Sequence, residues 1–218
     1  MSKRQSTTPD TPDLQRRRVM RAMLSVPAFA MAACGAENIS GQAASPTAPA
    51  ISLNPTPACA DDDDDDPTPA QTEGPYFTSN SPERSSLREA GITGTLLTIS
   101  GQVVNTLCQP IPRAKLDWWH ADNAGAYDNS GYKLRGHQFT DDNGRFTLLT
   151  IVAGLYPGRT RHIHVKTQAP NKPVLTTQLY FPGEPRNAGD GIYSSALLMQ
   201  VEDAADGKVA AFTFVLNV

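Results

Sequence analysis

The sequence predicts an all-β fold, an antiparallel sandwich or barrel, and three observations carry that expectation. From residue 92 onward the chain runs in short stretches rich in β-branched and aromatic residues, broken by turn residues at intervals of roughly 10 to 20 positions. No stretch shows sustained helical periodicity with caps. Fourteen of the fifteen aromatic residues lie after residue 70, with only Phe29 before it. Residues 71–218 therefore hold the material for a core, and 148 positions are a common size for one domain. The first 70 residues hold nine of the eighteen prolines and too little apolar surface to offset chain entropy.

Each expected element has its own signal. Residues 95–104 alternate loosely and stop before Asn105 and Pro110. Residues 114–119 form a second strand, and Asn123, Gly125, Asn129 and Gly131 mark a long loop after it. Asp142-Asn143-Gly144 is hairpin-like and introduces a strand over 145–152. Strands over 162–168, 174–180 and 210–216 complete the set, while 195–201 reads either as a turn or two of helix or as one more strand. There is no internal repeat.

Charge divides the chain in the same place. Residues 1–34 carry six Lys/Arg against two Asp, and 61–66 is a run of six aspartates. Residues 67–218 hold thirteen residues of each sign, so the net charge of −3 belongs to the leader and not to the domain. A neutral domain excludes a strongly basic nucleic-acid surface, and the acidic balance says nothing of substrate.

The leader reads as an export signal. Gln15-Arg16-Arg17-Arg18-Val19-Met20-Arg21 precedes a mostly apolar stretch of twelve residues, 22–33, too short to span a bilayer. The paired arginines resemble a twin-arginine export signal, and Met31-Ala32-Ala33-Cys34 resembles a bacterial lipobox with Met in place of the usual leucine-like residue. On this reading the protein is exported and held at the membrane only through a lipid on Cys34. Residues 35–70, rich in Ala, Pro, Ser and Thr and ending near the aspartates, are expected to be a disordered tether. With Cys34 lipidated, Cys59 and Cys108 are left in an oxidising compartment. A disulfide between them would close a loop of about 50 residues and contribute roughly 4 kcal/mol in the chain-entropy model.

The chemistry-bearing residues cluster. All four histidines fall within 120–164, and two form His162-Ile163-His164. On a strand, positions two apart share a face, so the imidazoles project together and Ile163 points into the core. Such a pair marks a metal site or a polar stripe. Upstream, Leu155-Tyr156-Pro157-Gly158-Arg159-Thr160-Arg161 leads a tyrosine and two arginines into the strand through a Pro-Gly turn. Trp119-His120-Ala121-Asp122-Asn123-Ala124-Gly125-Ala126-Tyr127 puts another tyrosine on a loop after a strand. Two imidazoles with two phenolates suit a hard, oxidised metal such as ferric iron better than zinc.

These residues resemble the intradiol ring-cleavage dioxygenases, the non-haem ferric family that includes catechol and protocatechuate dioxygenases. The resemblance runs from Thr72-Glu73-Gly74-Pro75-Tyr76-Phe77 through 119–127 and Leu134-Arg135-Gly136 to Gly158-Arg159-Thr160-Arg161-His162-Ile163-His164 and Thr177-Gln178-Leu179-Tyr180-Phe181. It implies a β-sandwich of the intradiol type, here without the N-terminal helical dimerisation region of cytosolic members. It implies Tyr127, Tyr156, His162 and His164 as ligands of ferric iron, with Arg159 and Gln178 as the active-site arginine and its glutamine partner. Tyr156 is also implied as the tyrosinate that leaves and takes a proton. A small catecholic substrate and dioxygen would give a cis,cis-muconate-type product. Tyr156 lies only six residues before His162, closer than in the better-known members, which suggests a short exported branch and leaves Tyr132 as an alternative ligand. Arg161 is an alternative to Arg159. Trp119 and Tyr76 are expected to pack or to line the pocket, and His120 and His137 to be ordinary polar residues.

Two other function classes fit the same residues. A metal-free surface module binding aromatic or carbohydrate ligands would use Tyr127 and Tyr156 as stacking platforms. A histidine-based zinc hydrolase is disfavoured, because no carboxylate follows His164 at the usual zinc spacing.

Overall fold

The structure, a computed structural model, describes residues 66–218. The expected export signal, Cys34, Cys59 and most of the expected tether lie outside the described residues. Eight strands follow one another: β1 (Leu96–Asn105), β2 (Lys115–Trp119), β3 (Arg135–Phe139), β4 (Arg145–Ile151), β5 (His162–Gln168), β6 (Leu175–Tyr180), β7 (Gln200–Ala204) and β8 (Gly207–Leu216). They make two four-stranded sheets, ordered β4-β1-β8-β7 and β3-β2-β5-β6. Among the described residues the only helical pieces are two short 3-10 turns, Pro185–Gly189 and Ser195–Leu197.

Alternation explains the sandwich. In β1 Leu97, Ile99 and Val103 are buried, and in β8 Ala210, Phe212, Phe214 and Leu216. Leu116 and Trp118 of β2, Ile163 and Val165 of β5, and Leu179 of β6 face them from the other sheet and join one core. Trp118 sits at its centre, with Phe146 and Phe214 at ring-centroid distances of 5.6 and 6.1 Å.

The expected strands are present, with several differences. All ladders between the named strands are antiparallel except β1 with β8, which is parallel over Leu97–Asn105 and Lys208–Leu216. β8 takes its direction from its hairpin with β7 and so enters beside β1 running the same way. Residues 195–201 hold a 3-10 turn and only the start of a strand, whose exposed sequence Gln-Val-Glu-Asp-Ala carries little apolar alternation. β3 was not expected, because Arg135-Gly136-His137-Gln138-Phe139 reads as polar loop. The turn at Asp142-Asn143-Gly144 is no hairpin, since it joins β3 and β4 in opposite sheets. Finally, residues 68–70, assigned to the tether, belong to the domain. Thr68 is buried and pairs with Val215 of β8 in both directions, at 2.9 and 2.8 Å, and the Pro69 carbonyl accepts from Thr177 of β6. Cys108 is disulfide-bonded, and its expected partner Cys59 lies outside the described residues.

Candidate active site

The outer face of the β3-β2-β5-β6 sheet carries the site. Ile163 and Val165 fill the core, so His162 and His164 emerge on the opposite face, where loops bury them to 4% and 3% exposure. Trp119 on β2 and Gln178 on β6 are the cross-strand partners of His164. The Trp119 indole lies flat on the His164 ring.

Two loops bring the tyrosines to the histidines. The Asp122 carboxylate accepts the N–H groups of Ala124 and Ala126, each at 2.9 Å, and its carbonyl accepts the Gly154 N–H at 2.8 Å. The loop before Tyr127 is thereby tied to the segment before Tyr156. Gly125 (φ +85°) lies so close to that segment that a Cβ would fall 2.3 Å from the Leu155 carbonyl oxygen. After Tyr156, the Arg159 N–H closes a turn onto the Tyr156 carbonyl at 3.1 Å, with Pro157 and Gly158 at its centre as a type II turn favours.

The resulting contacts are close. Tyr127 Oη stands 3.2 Å from His162 Nε2. The Tyr127 ring is 6.2 Å from that of His164 and 5.7 Å from that of Tyr156, edge-on in both cases. Tyr156 Oη is hydrogen-bonded to Tyr76 Oη at 2.7 Å, and Tyr76 stacks on Tyr127 with centroids 4.6 Å apart. Tyr76 is thus part of the tyrosine cluster and not merely wall. Tyr132 is remote: it is half exposed and donates to the Ser79 carbonyl at 3.0 Å.

Burial sets the protonation of the donors. It pushes the Tyr127 phenol up beyond the ordinary range, against the pull of Arg159 and Arg135. It pushes His162 down to about 4, only partly offset by the Thr160 carbonyl, and His164 well below its ordinary value. His162 Nδ1 donates to that carbonyl at 2.7 Å, which leaves the Nε2 lone pair to face Tyr127. His164 Nδ1 is buried with no hydrogen-bond partner. Two neutral imidazoles and two phenols, one imidazole nitrogen being an orphaned buried atom, fit a hard trivalent cation that would replace the phenolic protons. Among the described residues no three His, Cys, Asp or Glu side chains group to hold a metal, which leaves the zinc-hydrolase reading without a ligand set.

Beside the histidines lies a second network. Arg159 donates through Nη2 to Gln178 Oε1 at 2.8 Å and through Nε to Asp190 Oδ2 at 2.7 Å. Gln178 is wholly buried, and its amide donates to the Thr72 carbonyl at 2.8 Å. Arg159, in a turn before β5, therefore meets the glutamine expected as its partner. Arg161 does not reach it: it pairs with Glu184 at 2.8 Å and with the Ala153 carbonyl.

Sequence reasoning missed three contributors. Arg135, 1% exposed, donates to the Asp128 carbonyl at 3.0 and 2.7 Å and also to the Tyr76 carbonyl, linking the segments that carry Tyr127 and Tyr76. It lay inside a recognised motif, and a charged residue next to Leu134 and Gly136 was the available signal. Asp190 gave no signal, since it follows a 3-10 turn far from any motif. His120 is not an ordinary polar residue. It is 1% exposed, with Nδ1 donating to the Ala121 carbonyl at 2.8 Å and Nε2 accepting from Thr150 Oγ1 at 2.7 Å. His137 lies elsewhere, against Ser81 and Phe139.

Comparison with known proteins first gives the class. A family model described as "Dioxygenase" matches residues 72–218. The chain belongs to the intradiol ring-cleavage dioxygenase family. A catechol 1,2-dioxygenase from Pseudomonas sp. (strain EST1001) is 26% identical over 168 residues, 65% of this chain and 54% of that protein. A hydroxyquinol 1,2-dioxygenase from Corynebacterium glutamicum is 29% identical over 167 residues, 64% of this chain and 56% of that protein. The chain thus spans about half the length of the curated relatives it matches. Among solved structures, the dioxygenase domain of a dioxygenase–carbohydrate-binding protein fusion from Streptomyces sp. SirexAA-E is 59% identical, with a TM-score of 0.69. That match covers 70% of this chain and 99% of that one.

Proposed function

We propose that the protein is a non-haem ferric dioxygenase that cleaves a catechol-type ring between its two hydroxylated carbons, using dioxygen and giving a cis,cis-muconate-type product. The observation that carries this reading is the convergence of Tyr127 on His162, 3.2 Å apart, beside the Arg159–Gln178 pair. Family membership supports it.

Tyr127, Tyr156, His162 and His164 would hold the ferric ion. Bound there, it supplies Lewis acidity that promotes loss of the two catechol protons and charge transfer that makes the ring reactive toward dioxygen. The rest is done by the chain. Tyr156 Oη, bonded to Tyr76 Oη, is placed to receive a substrate proton and to be held by Tyr76 while neutral. Arg159 offers positive charge to the anion that develops during cleavage, and its bonds to Gln178 and Asp190 fix its plane beforehand. His164, pinned by Trp119, keeps a neutral imidazole at the site.

Oxygen uptake by iron-loaded protein on catechol, protocatechuate, hydroxyquinol and larger lignin-derived catechols tests the reading. Turnover of at least one, a visible tyrosinate-to-iron charge-transfer band, and loss of both in Tyr127→Phe and His162→Ala are expected. Iron-loaded protein that stays colourless would sink it and favour the metal-free binding module. The 59% identical neighbour favours the enzyme over that module, because the part that matches is the dioxygenase domain of its fusion.

Export is part of the proposal. The basic stretch before residues 22–33, with Met31-Ala32-Ala33-Cys34 after it, supports twin-arginine export and lipid anchoring at Cys34. Labelled palmitate should enter the wild-type protein and not Cys34→Ala.

A further inference from the structure

Among the described residues Asp190 is the carboxylate that pairs with Arg159, and it does more than balance a charge. Its side chain is 3% exposed. One oxygen, Oδ2, accepts from Arg159 Nε at 2.7 Å and from the Thr160 N–H at 2.8 Å, while Oδ1 accepts the Ile192 N–H at 3.1 Å. The next link is Thr160 itself, which is wholly buried and gives its carbonyl to His162 Nδ1 at 2.7 Å. One carboxylate oxygen thus meets the guanidinium directly and the imidazole through a single residue.

Geometry makes both links matter. Arg159 stands in a turn before β5, so no strand ladder fixes its side chain. The bond from Nη2 to Gln178 alone would let the guanidinium plane swing about one contact. A second bond at Nε fixes the plane. His162 has a parallel need: only the Nδ1–H tautomer presents a lone pair at Nε2, and that tautomer depends on where the Thr160 carbonyl is held. The side-chain contact between Thr160 Oγ1 and Asn187 Oδ1 at 2.6 Å ties the same residue to the segment that carries Asp190.

We propose that Asp190 is a positioning residue of the ring-cleavage site, holding Arg159 by Nε and, through Thr160, holding His162 in its Nε2-accepting tautomer. The proposal rests on the dioxygenase reading for its kinetic consequence and on the hydrogen bonds alone for its structural one.

The test uses the full chain and Asp190→Asn, which keeps the shape and removes the charge. In iron-loaded protein kcat on a catechol should fall about 10- to 100-fold, with KM changed less than about threefold. In an Arg159→Ala background the same substitution should lower kcat by clearly less than it does alone, because the route through the arginine is gone and only the route through Thr160 to His162 remains. In metal-free protein, Arg159 Nε–H exchange measured by NMR should quicken at least about tenfold, and the His162 ring should show a mixture of tautomers. Should Asp190→Asn not fold, Asp190→Glu keeps the charge, moves the oxygens by a methylene, and is read in the same way. An unchanged kcat, or a loss that adds in full to that of Arg159→Ala, overturns the proposal. Unchanged Arg159 exchange together with an unchanged His162 tautomer does so too, even with no turnover measured. Wild-type protein that takes up iron but consumes no oxygen with any catechol overturns the dioxygenase reading instead, and the NMR arm still decides Asp190.

Discussion

Trp119 and His164 lie face to face across neighbouring strands, ring centroids 4.8 Å apart and planes 9° from parallel. They are registered partners of β2 and β5, and Phe77 meets the indole edge-on at 4.9 Å. Since His164 Nδ1 has no hydrogen bond to orient the ring, stacking does so. Trp119→Ala should cost about 3–5 kcal/mol in denaturant unfolding and weaken iron binding about tenfold in a chelator competition. Trp119→Phe should retain most of the iron affinity. Equal affinity in wild type and Trp119→Ala would show that the indole only fills space.

Two glycines of the tyrosine loops separate close approach from backbone conformation. Both have positive φ, +85° at Gly125 and +79° at Gly158. A Cβ on Gly125 would lie 2.3 Å from the Leu155 carbonyl oxygen, while one on Gly158 meets nothing within 4 Å. Gly158→Ala should therefore cost only the left-handed penalty of about 1–2 kcal/mol. Gly125→Ala must also part the loops that bring Tyr127 and Tyr156 together, so it should cost more and weaken the charge-transfer band. Equal losses by chemical denaturation would mean that the loops yield freely.

Much of this was legible in the sequence, for physical reasons that can be named. His162-Ile163-His164 declares its strand because an apolar residue between two polar ones alternates, and the structure begins and ends β5 where expected. Gln178 lies directly opposite His164, a relation that strand register makes and spacing along the chain only hints at. β3 escaped notice because its buried residues include two polar ones, Arg135 and Gln138, and the backbone carbonyls that Arg135 meets are brought to it by segments outside the strand, which no local pattern encodes. Asp190 was illegible for a related reason: its partners, Arg159 and Thr160, lie about 30 residues away and meet it only after the chain has crossed β5 and β6. The parallel pairing of β1 and β8 is likewise a property of topology and not of either strand.

Arg135 is a buried cation that donates to the carbonyl oxygens of Asp128 and Tyr76, and burial lowers its pKa. Removing it orphans those carbonyls and frees the two segments that hold Tyr76 against Tyr127. Arg135→Met should destabilise the protein by about 1–3 kcal/mol, with a charge-transfer band that is broadened or lost. Arg135→Lys should rescue little, because one ammonium cannot reproduce the fork that reaches both segments. Full recovery of stability and colour in Arg135→Lys would reduce the residue to a simple charge.

The buried histidines predict how the metal-free protein responds to acid. Burial first, and then the nearby charges of His162 and Arg135, hold His120 at about 4 despite the Ala121 carbonyl, and His162 is also at about 4. An unfolded chain titrates near 6.5. Between those values the unfolded state binds more protons than the folded one, so stability rises with pH. It is complete above about 6.5 and is lost as pH falls toward about 4, with a slope of up to about 1.4 kcal/mol per pH unit for each such histidine. His120 is the one to test, because it meets Ala121 and Thr150 without contacting Tyr127, Tyr156 or Gln178. His120→Gln should lower stability at pH 7 yet flatten the decline between pH 6.5 and 4 by about one proton's worth, read from urea midpoints across that range. A decline as steep as the wild type's would place the acid sensitivity elsewhere.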